Sequence, residues 1–320
     1  MKILIIRFSS IGDIVLTTPV IRCVKQQVKN VQVHYLTKKT FKSVLDHNPY
    51  IDKLHLLEGS LSSTIEQLKA ENFDHIIDLH HNLRTRIIKF KLKVPSSSFD
   101  KLNIEKWIMV NLHLNKLPAI HIVDRYLQTA EFLKIKNDDK GLDYFLAQNY
   151  DLKELLPASH QSYVAIAIGA QHATKRLPQS KMVELCSLIK QPIVLLGGPD
   201  DTSRAKEICR LSGNHVFNGC GKFSLDQSAF LVKECQKLIT HDTGLMHIAS
   251  AFNKPIISVW GNTIPEFGMY PYHADNSVIV EVEGLPCRPC SKIGYDKCPR
   301  GHFKCMNNID LNSIELRINK

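Results

Sequence analysis

Residues 237–247 read Lys237-Leu238-Ile239-Thr240-His241-Asp242-Thr243-Gly244-Leu245-Met246-His247. The first four residues spell a short strand. Ile248 to Phe252 carries on as a helix, which Asn253-Lys254-Pro255 stops. Ile256 to Trp260 is the next strand, closed by Gly261. Strand, polar turn, helix and strand make a βαβ unit. The helix opens with unsatisfied backbone N–H groups, which Asp242 or Thr243 can cap, and Gly244 leaves room for a ligand to approach the backbone. Such a helix N-terminus is a ready anion site, and phosphate is the usual anion. An ordinary capped helix in a parallel sheet has the same shape, so this turn alone does not choose between the two.

Working outward, the same rhythm fills the chain. Lys2 to Arg7 is a buried strand, followed by the loop Phe8-Ser9-Ser10-Ile11-Gly12-Asp13 and a helix carrying Ile14, Leu16, Val20 and Val24. Further strands fall at Val31–Leu36, Ile51–Leu57 and His75–Leu79, the last running into His80-His81-Asn82. Between and after them lie apolar residues at helical spacing. Residues 148–161 lose this pattern and contain Pro157, which marks a linker. The pattern restarts with strands at Tyr163–Ile168 and Pro192–Leu196 and a capping box at Ser224-Leu225-Asp226-Gln227. Alternation of this kind predicts an α/β protein with two doubly wound, Rossmann-like domains facing a cleft. The expected boundaries are 1–155 and 156–305. A last helix over 306–320 is expected to cross back to the first domain and cover Ile314 and Ile318.

The chain's 320 residues suit two such domains, and 44% hydrophobic with 22% charged residues describes a soluble globular protein. The apolar stretch at Ile3–Ile6 is too short for a signal peptide, so a cytoplasmic location is expected. The net charge of +10 is uneven: residues 1–150 hold 22 Lys/Arg against 15 Asp/Glu, whereas 12 of the 15 glycines lie beyond them. The basic half suits an anionic partner. Nucleic acid is disfavoured, because the basic stretch has no interleaved aromatics and no binding module is present.

Two common nucleotide sites are missing. Gly12 stands alone after the first strand, where a dinucleotide fold needs three glycines. Gly219-Cys220-Gly221-Lys222 is followed by Phe223, where a P-loop needs Ser or Thr for magnesium. Phe8-Ser9-Ser10-Ile11-Gly12-Asp13-Ile14-Val15-Leu16-Thr17-Thr18-Pro19 resembles instead the N-terminal signature of the family 9 glycosyltransferases, the lipopolysaccharide heptosyltransferases. The stretch from His241 to Ala249, with Lys254-Pro255 and Gly261, resembles their second signature. The order and spacing agree over essentially the whole chain. The resemblance implies a GT-B fold and inverting transfer of heptose from ADP-heptose to an anionic lipopolysaccharide-core acceptor, with no catalytic metal or other cofactor.

On that resemblance Asp13 is the expected general base, in a loop shaped by Ser9, Ser10 and Gly12 and lined by Thr17 or Thr18; Asp13 also stands where a helix N-cap would. Lys175, with Thr174 beside it, is expected to neutralise the donor diphosphate. The family has a Lys-Arg-Trp-Pro-like stretch here, and Leu177 replaces the aromatic. Thr243, Gly244 and Leu245 would offer backbone N–H groups, Asp242 would meet the sugar or cap the helix, and His247 would reach the donor or fill the core. Asp200 or Asp201 is expected to hold a ribose hydroxyl. His80, Asn82, Arg84 and Arg86 are expected to meet the acceptor at the membrane surface, with Lys89, Lys91 and Lys93 forming a solvated basic face. A peripheral position at the inner face of the inner membrane fits that acceptor.

Cys287-x2-Cys290-x7-Cys298-x6-Cys305 has the opening spacing of a structural zinc site, but its second pair is too widely spaced for an ordinary ribbon, so free thiols near the cleft fit better. Two rivals remain on sequence grounds. One is a GT-B enzyme using another nucleotide sugar for a cell-envelope glycan. The other is a non-catalytic nucleotide-sugar-binding relative, against which Asp13 and Lys175 both speak.

Overall fold

The computed structural model describes residues 1–318, so the last two residues of the expected 306–320 helix lie outside the described residues. The chain forms two compact α/β units, one of residues 1–101 with 120–147 and one of residues 102–119 with 148 onward. Residues 102–119 thus join the second unit, not the first as expected from chain order.

In the first unit, β1 (Lys2–Ile6) is buried along its whole apolar run, as a central parallel strand requires. The expected single helix after it is broken into α1 (Ile11–Val15) and α2 (Thr18–Gln27). The reason is local: Pro19, at the start of α2, has no N–H to continue the ladder, and the Thr17 and Thr18 hydroxyls bond back to the carbonyls of Ile14 and Val15 at 2.7 Å each. Then come β2 (Gln32–Lys38), β3 (Lys53–Leu57), α3 (Leu61–Lys69), β4 (His75–Asp78), α4 (Leu83–Leu92) and β5 (Ser96–Ser98). The sheet is parallel, in the order β3-β2-β1-β4-β5. α5 (Asn103–Leu112) has no buried residue and belongs to the second unit, and α6 (Ile122–Gln128) returns to the first.

After α5, the second unit resumes with α7 (Leu152–Leu155) and β6 (Val164–Ala167). It proceeds through α8 (Gln179–Leu188), β7 (Ile193–Leu196), α9 (Thr202–Ser212), β8 (Val216–Asn218), α10 (Leu225–Glu234), β9 (Lys237–His241), α11 (Gly244–Ala251), β10 (Ile256–Trp260) and β11 (Ser277–Glu281). Its six strands are parallel, in the order β11-β10-β9-β6-β7-β8. The βαβ unit read from residues 237–260 therefore lies inside the sheet, with neither of its strands at an edge. Gly261 follows β10 closely packed: a Cβ there would meet the Thr174 carbonyl oxygen at 3.0 Å and Met306 Cε at 2.5 Å.

α12 (Lys304–Asn307) and α13 (Leu311–Ile318) end the described chain. Leu311 and Ile314 are buried in the second unit's own apolar cluster, and α13 packs on α8. The cover that the last helix needs is thus supplied within the second unit, where the sequence reading looked to the first domain.

Candidate functional site

Each sheet reverses its direction of growth once. The first grows from β1 to β2 and β3, then places β4 on the other side of β1. The second grows from β6 to β7 and β8, then places β9 on the other side of β6. In open parallel sheets, such a switch point at the carboxyl ends of the strands is where ligands bind. Asp13 follows β1 in the first turn of α1, and the segments after β4, β6 and β9 carry His80, Lys175 and Asp242 respectively.

In the first unit the organising group is Arg7, a buried cation that sequence reasoning passed over. Its Nε donates to the Ser9 carbonyl at 2.8 Å, and its Nη1 to the Leu79 carbonyl at 2.6 Å and the Tyr126 hydroxyl at 3.1 Å. Nη2 then meets Asp13 Oδ1 at 2.7 Å. Asp13 Oδ2 accepts from the Ser10 backbone N–H at 3.1 Å and from the Ser10 hydroxyl at 2.9 Å. Burial alone would push the Asp13 carboxyl up, but Arg7 and the two Ser10 bonds outweigh it and hold the group below the usual aspartate range. The side chain keeps 19% exposure, so the carboxylate is charged and still reachable. The N-cap of α1 is Ser10 and not Asp13, because Asp13 stands third in the helix and reaches back. Thr17 and Thr18, expected to line the loop, are buried and bonded inward.

His80 packs on Phe8, with ring centroids 4.8 Å apart. Burial, then the nearby Arg7, push its pKa down to about 4, which leaves a neutral imidazole at pH 7. Asn82 is committed to the fold through Oδ1, which accepts the Thr85 N–H at 3.0 Å and caps α4. Arg84 and Arg86 are both exposed, but two positions apart on a helix they point to opposite flanks and do not form one clamp. Lys89 departs from the solvated face expected of it: its Nζ lies 2.9 Å from Oδ2 of the fully buried Asp78 and 2.5 Å from Ser98 Oγ. Lys91 and Lys93 are exposed as expected.

In the second unit, Lys175 Nζ lies 2.5 Å from Asp242 Oδ2, to which Thr263 also donates at 3.3 Å. Ala167, at the end of β6, sits in register with Thr240 of β9, which brings the two loops side by side. Thr174 ties its own loop down: its backbone N–H and hydroxyl both donate to the Tyr295 carbonyl at 3.1 Å. His241 Nε2 accepts the Leu177 N–H at 2.9 Å. Burial, then Arg204 and Arg176, push the His241 pKa down to about 3, so it is a neutral tie holding the Lys175 loop to β9. Leu177 is 1% exposed, so this position is a packing one.

Thr243 is the N-cap of α11, yet no side chain caps the helix, because Asp242 is turned to Lys175. The first turn, Gly244 and Leu245, is half-buried, and His247 one turn on is buried. Asp200 is exposed. Asp201 turns inward, where its Oδ2 accepts the Gly198 N–H at 3.0 Å and a Cβ on Gly169 would meet it at 2.3 Å. Sequence reasoning missed Arg7, Thr263 and His241. Arg7 carried a signal, as a charge ending an apolar strand, and His241 stood at the head of the second motif; Thr263 carried none.

The four clustered cysteines are free thiols. Burial and the neighbouring sulfurs push Cys290 up and Cys305 to about 12, and Cys287 Sγ lies 3.9 Å from His302 Nε2. Among the described residues, the group of three or more His, Cys, Asp or Glu whose ligand atoms all lie within 4.8 Å of one another is His34, His55 and Glu71; the thiols bring together no such set of three. In that trio, Glu71 is already neutralised by Lys2 and Lys53, and His34 Nδ1 bonds His55 Nε2 at 2.9 Å.

The family model for glycosyltransferase family 9 (heptosyltransferase) matches residues 61–297. The chain is 28% identical over 289 residues to lipopolysaccharide heptosyltransferase 1 of Campylobacter coli, covering 82% of this chain and 84% of that one. Among solved structures, it superposes on the ADP-heptose lipopolysaccharide heptosyltransferase II of Escherichia coli with a TM-score of 0.74 at 18% identity, covering 100% and 98% of the two chains. An E. coli heptosyltransferase solved with ADP gives 0.73 at 20% identity, covering 100% and 99%.

Proposed function

Given that the chain belongs to glycosyltransferase family 9, and so is a glycosyltransferase of GT-B architecture, we propose that it moves heptose from ADP-heptose to an anionic acceptor in the lipopolysaccharide core, with inversion and without a catalytic metal. One observation carries the donor half of this reading: the Lys175 ammonium sits against Asp242, the residue just before the uncapped N-terminus of α11. A cation and a helix N-terminus at one strand end suit a diphosphate.

The chemistry follows from the two loops. Asp13, held ionised by Arg7 and Ser10, takes the proton of the acceptor hydroxyl as that oxygen attacks the anomeric carbon. The bond from that carbon to the β-phosphate oxygen breaks, and ADP leaves with the electron pair. Lys175 and the N–H groups of Thr243, Gly244 and Leu245 meet the charge that develops on the phosphate. These groups supply the positive charge that a divalent cation supplies elsewhere. Because Asp13 is a weak base, proton transfer comes late, after most of the glycosidic bond has broken in an oxocarbenium-like transition state. His80 is assigned to the acceptor.

A thermal-shift screen of ADP, UDP, GDP, CMP and NAD, with and without EDTA, tests the reading. Stabilisation by ADP alone, unchanged by EDTA, is expected. Stabilisation by UDP or GDP instead would move the donor assignment, and no response to any nucleotide would sink the donor site.

A further inference from the structure

We propose that the outward face of α4 is a docking surface for an anionic lipid bilayer. The helix is fixed to the first unit by Thr85 and Ile88, both fully buried, and by the Lys89–Asp78 ion pair. On the opposite side stand Leu83, Ile87 and Phe90, which are 72%, 37% and 76% exposed. Spaced four and then three apart, they form one continuous apolar ridge along the helix. Such a ridge on a soluble surface calls for an occupant.

The charges beside the ridge say which. Arg84 and Lys91 project from one flank and Arg86 from the other, all exposed. No Asp or Glu occurs between Asp78 and Asp100. An apolar ridge between two basic flanks is the pattern of a helix lying in the plane of a bilayer, with rings and aliphatic chains at the acyl boundary and guanidinium groups among lipid phosphates. A second copy of the chain fits poorly, since a two-fold contact through α4 would set the same cations against one another. A surface of this kind would present the enzyme to an acceptor held in the membrane, and in that respect the proposal rests on the function given above.

The test is co-sedimentation of the full chain with vesicles of phosphatidylcholine and phosphatidylglycerol, against vesicles of phosphatidylcholine alone, without donor or acceptor. Binding to the anionic vesicles that weakens with salt is expected. Leu83→Ser with Phe90→Ser should lower the partition coefficient by about tenfold or more. Lys91→Gln should lower it by about fivefold. Neither change should alter the ADP-induced thermal shift, which reads the second unit. Failure of the wild type to sediment with anionic vesicles would overturn the proposal. So would equal binding by the Leu83→Ser/Phe90→Ser protein, or a dimer in sedimentation velocity that this pair of changes abolishes. Loss of the ADP shift with vesicle binding intact would count against the proposed function and leave the docking surface standing.

Discussion

Arg7 Nη2 lies 2.7 Å from Asp13 Oδ1, and three more of the guanidinium's donors are spent on the Ser9 and Leu79 carbonyls and the Tyr126 hydroxyl. Arg7 therefore cannot swing away, and Asp13 is held charged at a fixed place after β1. Two consequences for turnover follow. Asp13→Asn keeps the shape and removes the base, so kcat should fall by about a hundredfold to ten-thousandfold while ADP binding is unchanged. In the wild type the acid limb of kcat/KM against pH should lie below the usual aspartate range, because Asp13 is lowered in the folded protein. Arg7→Gln removes the main lowering influence, so that limb should move to higher pH. A limb that stays where it is would mean that another group titrates in the reaction.

Lys175 and Asp242 make a pair that a bound diphosphate must share. Lys175→Ala should weaken ADP binding by about ten- to a hundredfold, the worth of a charge-assisted bond. Asp242→Asn should do the reverse. It frees the ammonium and removes an anion from the phosphate's neighbourhood, so ADP should bind more tightly. Calorimetry with ADP, which lacks the sugar, isolates this effect. Weaker ADP binding by the Asp242→Asn protein would show that the carboxylate holds the nucleotide and does not merely hold Lys175.

The legibility of these elements in the sequence depends on what stabilises each. Ile3 to Ile6 is a continuous apolar run, and Ile256 to Trp260 is broken only by the buried Ser258, because both faces of an interior parallel strand are covered, so their pattern needs no partner to be read. Ser96–Ser98 has no pattern at all, and it is a strand because it pairs with β4. α9 buries only Ala205 and Ile208 among charged neighbours, too few for periodicity to register. The candidate site divides the same way. Asp13, Lys175 and Asp242 stand in quoted motifs, because loops at switch points carry short local signatures. Their contacts are not legible there: Thr263 reaches Asp242 from the loop after β10, and His241, although it opens the second motif, holds the Lys175 loop from a neighbouring strand. Both contacts exist only once β6, β9 and β10 lie side by side. Lys89 was misread for the same reason, since its partner Asp78 lies at the end of a neighbouring strand.

Arg22 is a second buried cation, remote from the loops, and its role is stability. Its Nε and Nη2 grip Asp138 at 2.8 Å each, Nη1 bonds Asp143, and Nη2 also donates to the Gly141 carbonyl at 2.9 Å. Arg22→Ala strands two carboxylates and should cost about 3–5 kcal/mol in urea unfolding. Acid sensitivity follows from the signs. The bond to Arg22 lowers Asp138 to about 2 from 3.8, so its stabilisation is present above the unfolded value and is lost as pH falls from 3.8 toward about 2. Asp143, which burial pushes up, works in the opposite direction. A wild type whose urea midpoint does not fall over that window, or falls no more than that of the Arg22→Ala protein, would refute the assignment.

The Lys89–Asp78 pair separates a structural lysine from its solvated neighbours on one helix. Asp78 is fully buried; its Oδ1 accepts the backbone N–H groups of His80 at 3.1 Å and His81 at 2.7 Å, and its Oδ2 faces Lys89 at 2.9 Å. Burial opposes its charge, but the bonds from His81, Lys89 and Thr85 win and keep the carboxyl below its ordinary range. Lys89→Met leaves that charge with backbone donors alone and should destabilise the protein by about 3–5 kcal/mol. Lys91→Ala and Lys93→Ala touch only solvent and should each stay within about 0.5 kcal/mol. Because Asp78 is lowered on folding, part of the wild-type advantage is present above the unfolded aspartate value and disappears as pH falls below it. The gap between the wild type and the Lys89→Met protein should therefore narrow in acid. Urea midpoints for the three variants at neutral and acid pH decide the matter, and equal costs at all three positions would return Lys89 to the solvated face.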